Sequence, residues 1–161
     1  MRIYVDSNIF IRALEKLDPV AKLLESLLTE GNSRSHVFMT AEMTLSELLV
    51  IPYRDNNPVL IRQYEDIFAG GEWLSVLPLN RGTFRRAARL RAGNKGLKLP
   101  DALHMAVALD AGCTFFLTGD EGIKASLLQP MEEVRTAALA DLTILRPDIP
   151  TLETLLQSLN T

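Results

Sequence analysis

The sequence predicts an α/β fold: a three-layer α/β/α sandwich around a mostly parallel central sheet of four to five strands. Two observations carry this. Short apolar runs of strand length alternate with helical segments along the chain. Turn and cap residues punctuate most boundaries between them. A third observation bounds the size. The chain has 161 residues, 47% hydrophobic and 23% charged, the length and balance of one globular unit. The expectation is a single domain over residues 1–161.

The elements follow in order. Arg2-Ile3-Tyr4-Val5-Asp6 reads as a short buried strand. Ser7-Asn8 follow as turn or N-cap residues, and a helix runs to Leu17. Asp18-Pro19 have the form of an N-cap and first helical residue for a helix over Val20–Thr29, which Gly31-Asn32-Ser33 stop. A strand through Val37–Met39 ends at Thr40, which is expected to cap a helix over Ala41–Val50. Pro52 and Asn56-Asn57-Pro58 break the chain before a helix over Val59–Phe68. Gly70-Gly71 close that helix, and Trp73–Leu77 reads as a strand. Asn80 caps a helix to Ala92, with Phe84, Ala87, Ala88 and Leu90 inward and Arg81, Arg85 and Arg89 in one stripe. Gly93–Lys98 is a basic loop. Pro100 begins a helix over Asp101–Ala111, Gly112 stops it, and Thr114–Thr118 is a strand. Gly119-Asp120-Glu121-Gly122 make a turn. The segment 123–140 reads as helical with a break at Pro130, so an extra helical segment is expected around 124–141. Leu142–Leu145 is a last strand and Thr151–Leu159 a last helix.

The formal net charge of −3 excludes a uniformly basic nucleic-acid coat. It hides an asymmetry. From Trp73 to Pro100 there is no acid, while Arg81, Arg85, Arg86, Arg89, Arg91, Lys95 and Lys98 give +7. The remainder carries ten basic and twenty acidic residues, a charge of −10. Such a chain can hold cations in one place and a polyanion in another. The single Cys113 excludes a disulfide framework and a cysteine-rich zinc site. No apolar run approaches the roughly 18 residues of a membrane span, and the N-terminus has no signal-like apolar stretch. The expectation is a soluble, cytoplasmic protein.

Four acids stand out. In open parallel sheets ligands bind beyond the carboxyl ends of the strands. Asp6 ends the first strand, Asp120 follows a later one, and Asp101 opens the helix leading into it. Glu47 sits among leucines in Leu45-Ser46-Glu47-Leu48-Leu49, where an unpartnered carboxylate is costly. Each also has a structural role open to it: Asp6 as a cap, Asp101 against a helix dipole, Asp120 in a turn. Several carboxylates in one cleft, with only His36 and His104 available, suit a hard cation such as Mg²⁺ or Mn²⁺ rather than zinc. His104, three residues after Asp101, is weighed as a core or supporting histidine, and His36 as a surface residue. Without a cation the acids repel one another, so Asp6→Asn is expected to relieve strain in the metal-free protein.

Four segments together resemble the PIN-domain family of the small VapC-like kind. They are Tyr4-Val5-Asp6-Ser7-Asn8, Thr44-Leu45-Ser46-Glu47-Leu48, Leu99-Pro100-Asp101-Ala102-Leu103-His104 and Phe116-Leu117-Thr118-Gly119-Asp120, in family order over residues 1–125. The resemblance implies an Mg²⁺- or Mn²⁺-dependent endoribonuclease with Asp6, Glu47, Asp101 and Asp120 as catalytic and metal-binding residues. It implies Thr118 as a supporting hydroxyl, RNA as substrate, a small antitoxin as partner and a homodimer, while Ser7, read from its own position, is a candidate to cap the helix, to hydrogen-bond the metal shell, or both. The chain departs from the family at Gly119, where asparagine is frequent, and in residues 124–149, which look longer than the usual tail. Arg85 and Arg89 are candidates to hold RNA phosphates.

Other classes fit less well. A dehalogenase-type phosphatase needs an acid where Asn8 stands, and the P-loop pattern is absent. The alternatives that remain are a stand-alone PIN nuclease in RNA processing and a PIN-like RNA-binding or assembly subunit with little catalysis.

Overall fold

The computed structural model describes residues 1–30, 37–69, 73–128 and 142–159. Its strands are β1 (Arg2–Val5), β2 (Val37–Ala41), β3 (Leu74–Leu77), β4 (Phe115–Leu117) and β5 (Thr143–Leu145). Its helices are α1 (Ser7–Glu15), α2 (Pro19–Glu30), α3 (Glu42–Arg54), α4 (Pro58–Phe68), α5 (Arg81–Gly93), α6 (Leu99–Asp110) and α7 (Ile149–Leu159). All strand pairings are parallel, in the order β3-β2-β1-β4-β5. Parallel neighbours cannot be joined by a tight turn, so each connection crosses over a face of the sheet.

The alternation of side chains along the strands builds two cores. Tyr4 and Phe116 point to one face, where they meet α5 and α6. Ile3, Val5 and Leu117 point to the other, where α1, α2, α3, α4 and α7 cover them. Helix α6 is buried from Ala102 to Leu109, which is why its sequence is apolar around most of its circumference. Gly112 follows α6 at φ +64°, a left-handed stop that a side chain would strain.

The topology positions the site. From β1 the chain builds β2 and β3 on one side, then returns to add β4 and β5 on the other. The reversal falls between β1 and β4, where crossovers leave in opposite directions and open a crevice. Asp6 and Thr118 stand at that crevice, one residue past each strand, joined by the bond from Asp6 N–H to the Leu117 carbonyl at 3.1 Å.

Several expectations are corrected. Asp6, not Ser7 or Asn8, is the N-cap of α1, and α1 ends before Leu17, which is 95% exposed. Thr40 does not cap α3. It extends β2, and its hydroxyl donates to the Val5 carbonyl at 2.9 Å while Thr44 donates back to it. Pro52 does not break α3. It lies in the final turn, where it removes one amide donor, and the Asp55 N–H still reaches the Ile51 carbonyl at 2.9 Å. On α5 the inward face is Thr83, Ala87 and partly Leu90, while Phe84 (52% exposed) and Ala88 face outward. Thr83 turns inward because its hydroxyl finds the Asp110 carboxylate on α6 at 3.1 Å. Within 123–140 the described residues contain a single 3-10 turn, Ala125–Leu128. The remainder with Pro130, the stops at 31–33 and 70–71, and His36 lie outside the described residues.

The reassigned faces give a stability test. Phe116 is fully buried and stacked on Tyr4 at 4.9 Å between ring centroids, so Phe116→Ala should cost about 3–5 kcal/mol. Phe84→Ala should change stability by no more than about 0.5 kcal/mol. Urea unfolding midpoints compare the two; similar losses would contradict the assigned faces.

Candidate functional site

Asp6 is 4% exposed and serves as acceptor for three donors. Its Oδ1 accepts the Ser7 N–H at 2.8 Å. Its Oδ2 accepts the Thr118 hydroxyl at 2.6 Å and the Asn8 side-chain amide at 2.7 Å. Placement at the start of α1 adds the favourable end of the helix dipole.

Thr118 relays this arrangement to the next acid. Having donated to Asp6, its oxygen accepts the Asp120 N–H at 2.9 Å and the Asn8 amide at 3.1 Å. Asn8 Oδ1 accepts the Gly119 N–H at 2.7 Å, which fixes the orientation of the amide. A Cβ at Gly119 would meet that same oxygen at 3.2 Å. A side chain here would press on Asn8, and the backbone N–H supplies a polar contact at this position. Asp120 Oδ1 turns back to the Gly122 N–H at 2.7 Å.

Arg146, just after β5, holds the same turn from outside. Its guanidinium donates to the Thr118 carbonyl at 3.2 Å, the Asp120 carbonyl at 2.6 Å and the Ile123 carbonyl. Sequence reasoning passed over it, because nothing in its local sequence marks it as a partner of a turn made before residues 129–141.

Glu47 lies on α3 and is only part-buried, with 30% of its side chain exposed. Burial alone raises its pKa. The hydrogen bond and charge of His104, aided by the Ser7 hydroxyl, outweigh that and hold it below the usual range. Its Oε2 lies 3.0 Å from His104 Nε2. The partner that makes this carboxylate tolerable is therefore a histidine of the chain itself.

His104 is 2% exposed and links two acids, with Nε2 also 3.9 Å from Asp6 Oδ1. Two carboxylates facing Nε2 require a proton there. Nδ1 lies 2.7 Å from the Tyr4 hydroxyl, so both ring nitrogens are engaged. Burial, and after it the charge of Asp6, push the Tyr4 pKa well up, so Tyr4 remains a donor.

Asp101, in the first turn of α6, is the acid under most stress. Burial raises its pKa, and the charges of Asp120 and Asp6 raise it further, against smaller opposing effects of His104 and Lys98. The fold thus brings Asp6, Asp101 and Asp120 into electrostatic contact, with Glu47 attached through His104. As they stand, no three His, Cys, Asp or Glu side chains among the described residues form a group that could hold a metal ion. Two of the acids are turned aside, Glu47 to His104 and Asp120 to its own turn. The donors on offer are oxygens, which match a hard divalent cation; Cys113 is buried in the core.

Two clefts meet at Asp120. One of about 440 Å³ is lined by Ser7, Asn8, Arg12, Gly119, Asp120 and Pro147, among others. The other, of about 460 Å³, includes Lys95, Lys98, Asp101, Asp120 and Lys124. Arg85 and Arg89 are exposed on α5 and line neither cleft.

The PIN domain model matches residues 3–126 of this chain. The chain belongs to the PIN-domain family. Solved structures of similar fold agree. VapBC2 from Rickettsia felis, bound to a promoter DNA fragment, superposes with a TM-score of 0.61 at 16% identity, over 92% of this chain and 100% of that one. FitAcB from Neisseria gonorrhoeae gives 0.61 at 17% identity, over 90% and 97%. The Mycobacterium tuberculosis toxin VapC20, which cleaves the sarcin-ricin loop, gives 0.57 at 19% identity, over 71% and 86%. No curated protein sequence matches. No helix among the described residues of this PIN-domain protein is long and apolar enough to cross a membrane.

The geometry reverses the expected effect of Asp6→Asn. An asparagine amide there must face either the Asn8 amide or the Ser7 N–H, donor against donor, while Gly119 prevents Asn8 from turning over. Asp6→Asn should cost about 1–3 kcal/mol in metal-free buffer. Asp101→Asn should instead raise the melting temperature. A carboxyl whose folded pKa is raised destabilises the fold once ionised, and that loss disappears as pH falls through the raised value. The gain from Asp101→Asn is therefore expected at pH 7 and should vanish in acid. Thermal melts of both variants across pH test this; stabilisation by Asp6→Asn at pH 7 would contradict the assigned network.

Proposed function

We propose that this PIN-domain protein is a divalent-metal-dependent endoribonuclease, the toxin of a toxin-antitoxin pair. The observation that carries the reading is the gathering of Asp6, Asp101 and Asp120 at the sheet crevice with Asp101 left without a hydrogen-bond donor. The Asp101 pKa is raised by burial first and then by the charges of Asp120 and Asp6, and its carboxylate receives no hydrogen bond from a described residue. Membership of the PIN family and the likeness to toxin-antitoxin assemblies support the same reading. So does VapC20, an RNA-cleaving protein of the same fold.

In this reading Asp6, Glu47, Asp101 and Asp120 would hold Mg²⁺ or Mn²⁺, with Ser7 and Thr118 as supporting hydroxyls. Bound there, the cation supplies charge neutralisation for phosphate oxygens and a more acidic water. The residues of the chain supply position. Thr118 and Asn8 fix the Asp6 carboxylate in one orientation, and Arg146 fixes the turn that carries Asp120. His104, itself fixed by Tyr4, keeps Glu47 at the edge of the cluster. Asp101 is the acid with least structural obligation, which leaves it available to substrate-side groups.

Both nitrogens of His104 are engaged, so the chemistry expected is attack by water rather than by the RNA 2′-hydroxyl. The whole of residues 1–161 is taken as one PIN-like domain acting in the cytoplasm. An antitoxin and a second copy of the chain are its partners. Exposed Val50, Ile51 and Tyr53 on α3 and Val59 on α4 supply apolar surface for such contacts.

The test is cleavage of a labelled single-stranded RNA with Mg²⁺ or Mn²⁺. Products should carry 5′-phosphate and 3′-hydroxyl ends, chelator should stop the reaction, and Asp101→Asn should lower kcat at least about 100-fold. Production of the protein alone in a bacterium should arrest growth, with rescue by the adjacent small reading frame. Cyclic phosphate ends, or full activity in chelator, would overturn the mechanism.

A further inference from the structure

The described cations differ in whether the fold uses their side chains and in what surface they line. Arg2, Arg12, Arg86, Arg91 and Arg146 are spent on partners within the chain. The side chains of Lys95, Lys98 and Lys124 make no hydrogen bond or close ion pair with a described residue, Lys98 acting on Asp101 only through its charge, and all three line the cleft that ends on Asp101 and Asp120.

That cleft is built rather than incidental. The Arg91 side chain donates to the Leu97 carbonyl at 3.2 Å, the Leu97 N–H to the Asn94 carbonyl at 3.0 Å, and the Leu97 side chain is buried. Asn94 reaches across to the Leu127 carbonyl at 3.3 Å and ties the two walls together. The loop that carries Lys95 and Lys98 is therefore held in place before any ligand arrives.

The cleft on the other side of Asp120 differs. Its one cation, Arg12, is paired with Asp18 at 3.2 Å, and its remaining polar groups are Ser7 and Asn8. Charge is available on one side of the acids and neutralised on the other.

We propose that the lysine cleft grips the phosphates of single-stranded RNA on one side only of the bond to be cut. The proposal rests on the nuclease reading above and adds where the strand is held. A phosphodiester chain carries a charge at every nucleotide, so a strand with one phosphate at Asp101 and Asp120 has further phosphates to offer the lysines that line the same cleft. The cleft has no aromatic residue in its lining, so it offers no stacking platform, and the grip is on backbone rather than base.

The test measures binding without cleavage. A fluorescent single-stranded RNA of about ten nucleotides is titrated in chelator at several salt concentrations. Lys95→Gln/Lys98→Gln/Lys124→Gln should raise Kd at least about tenfold and reduce the slope of log K against log salt by about 2 units. Arg85→Gln/Arg89→Gln, on the outer face of α5, should lose less of both. With metal present, Lys95→Gln/Lys124→Gln, which leaves the Lys98 charge beside Asp101, should raise KM more than it lowers kcat. Shortening a singly cleaved RNA should raise KM from one end only.

Unchanged Kd and salt slope in the lysine variant would overturn the proposal, as would equal losses on shortening from both ends. Displacement of the RNA by a polyglutamate of equal charge, as readily as by RNA, would assign the cleft to an acidic protein and overturn it too. Absence of cleavage by the wild type, with the binding differences intact, would reject the nuclease reading and leave the grip standing.

Discussion

A buried negative charge organises this end of the molecule. The Asp6 carboxylate is removed from water at the start of α1, where an isolated ion would cost many kcal/mol. The fold offsets this with three donors, one from the backbone and two from side chains. Each donor then has a second duty. Thr118 receives Asp120, and Asn8 receives Gly119, while Ser7 begins the helix and faces Glu47. The satisfaction of one carboxylate thereby sets the position of the others.

Such networks are all-or-nothing devices, because a half-satisfied polar group in the interior is worse than none. Here no buried side-chain nitrogen or oxygen among the described residues lacks a partner. The stress is concentrated instead at Asp101, which is partly removed from water and repelled by Asp120 and Asp6 without sharing in the donor network. Rigid acids anchor the crevice and a stressed acid faces it. That division of labour suits a site whose ligands must be held but whose exchange must stay possible.

Local sequence made the outline legible and left the cross-links hidden. Asp6 could be read because it ends an apolar strand, and Asn80 because an asparagine before a helix has few other uses; it does accept from the Gly82 and Thr83 amides. The sheet could be read from its short apolar runs, including β5. Glu47 could be marked as expensive among leucines, but its partner lies 57 residues away on α6, and no local pattern announces that pairing. Hydrophobicity alone points Phe84 to the inward face of α5, and the structure leaves it exposed. The α6 surface instead offered Asp110 to Thr83 and Arg86. The basic stretch could be seen as a run of charge, yet which cations are available depends on which arginines the fold consumes, and that is a tertiary property.

Arg146 carries a consequence for the order in which the protein is made. It stands 26 residues after Asp120 and beyond the stretch matched by the family model, yet it closes on the carbonyls of the acid turn. Translation proceeds from the N-terminus at about 5–20 residues per second, so the turn emerges about 1–5 s before its clamp. During that interval the nascent chain has β1, β4 and all four acids, but the turn bearing Asp120 lacks the guanidinium that fastens it. The crevice is thus completed from its far end, by the strand that joins the edge of the sheet last.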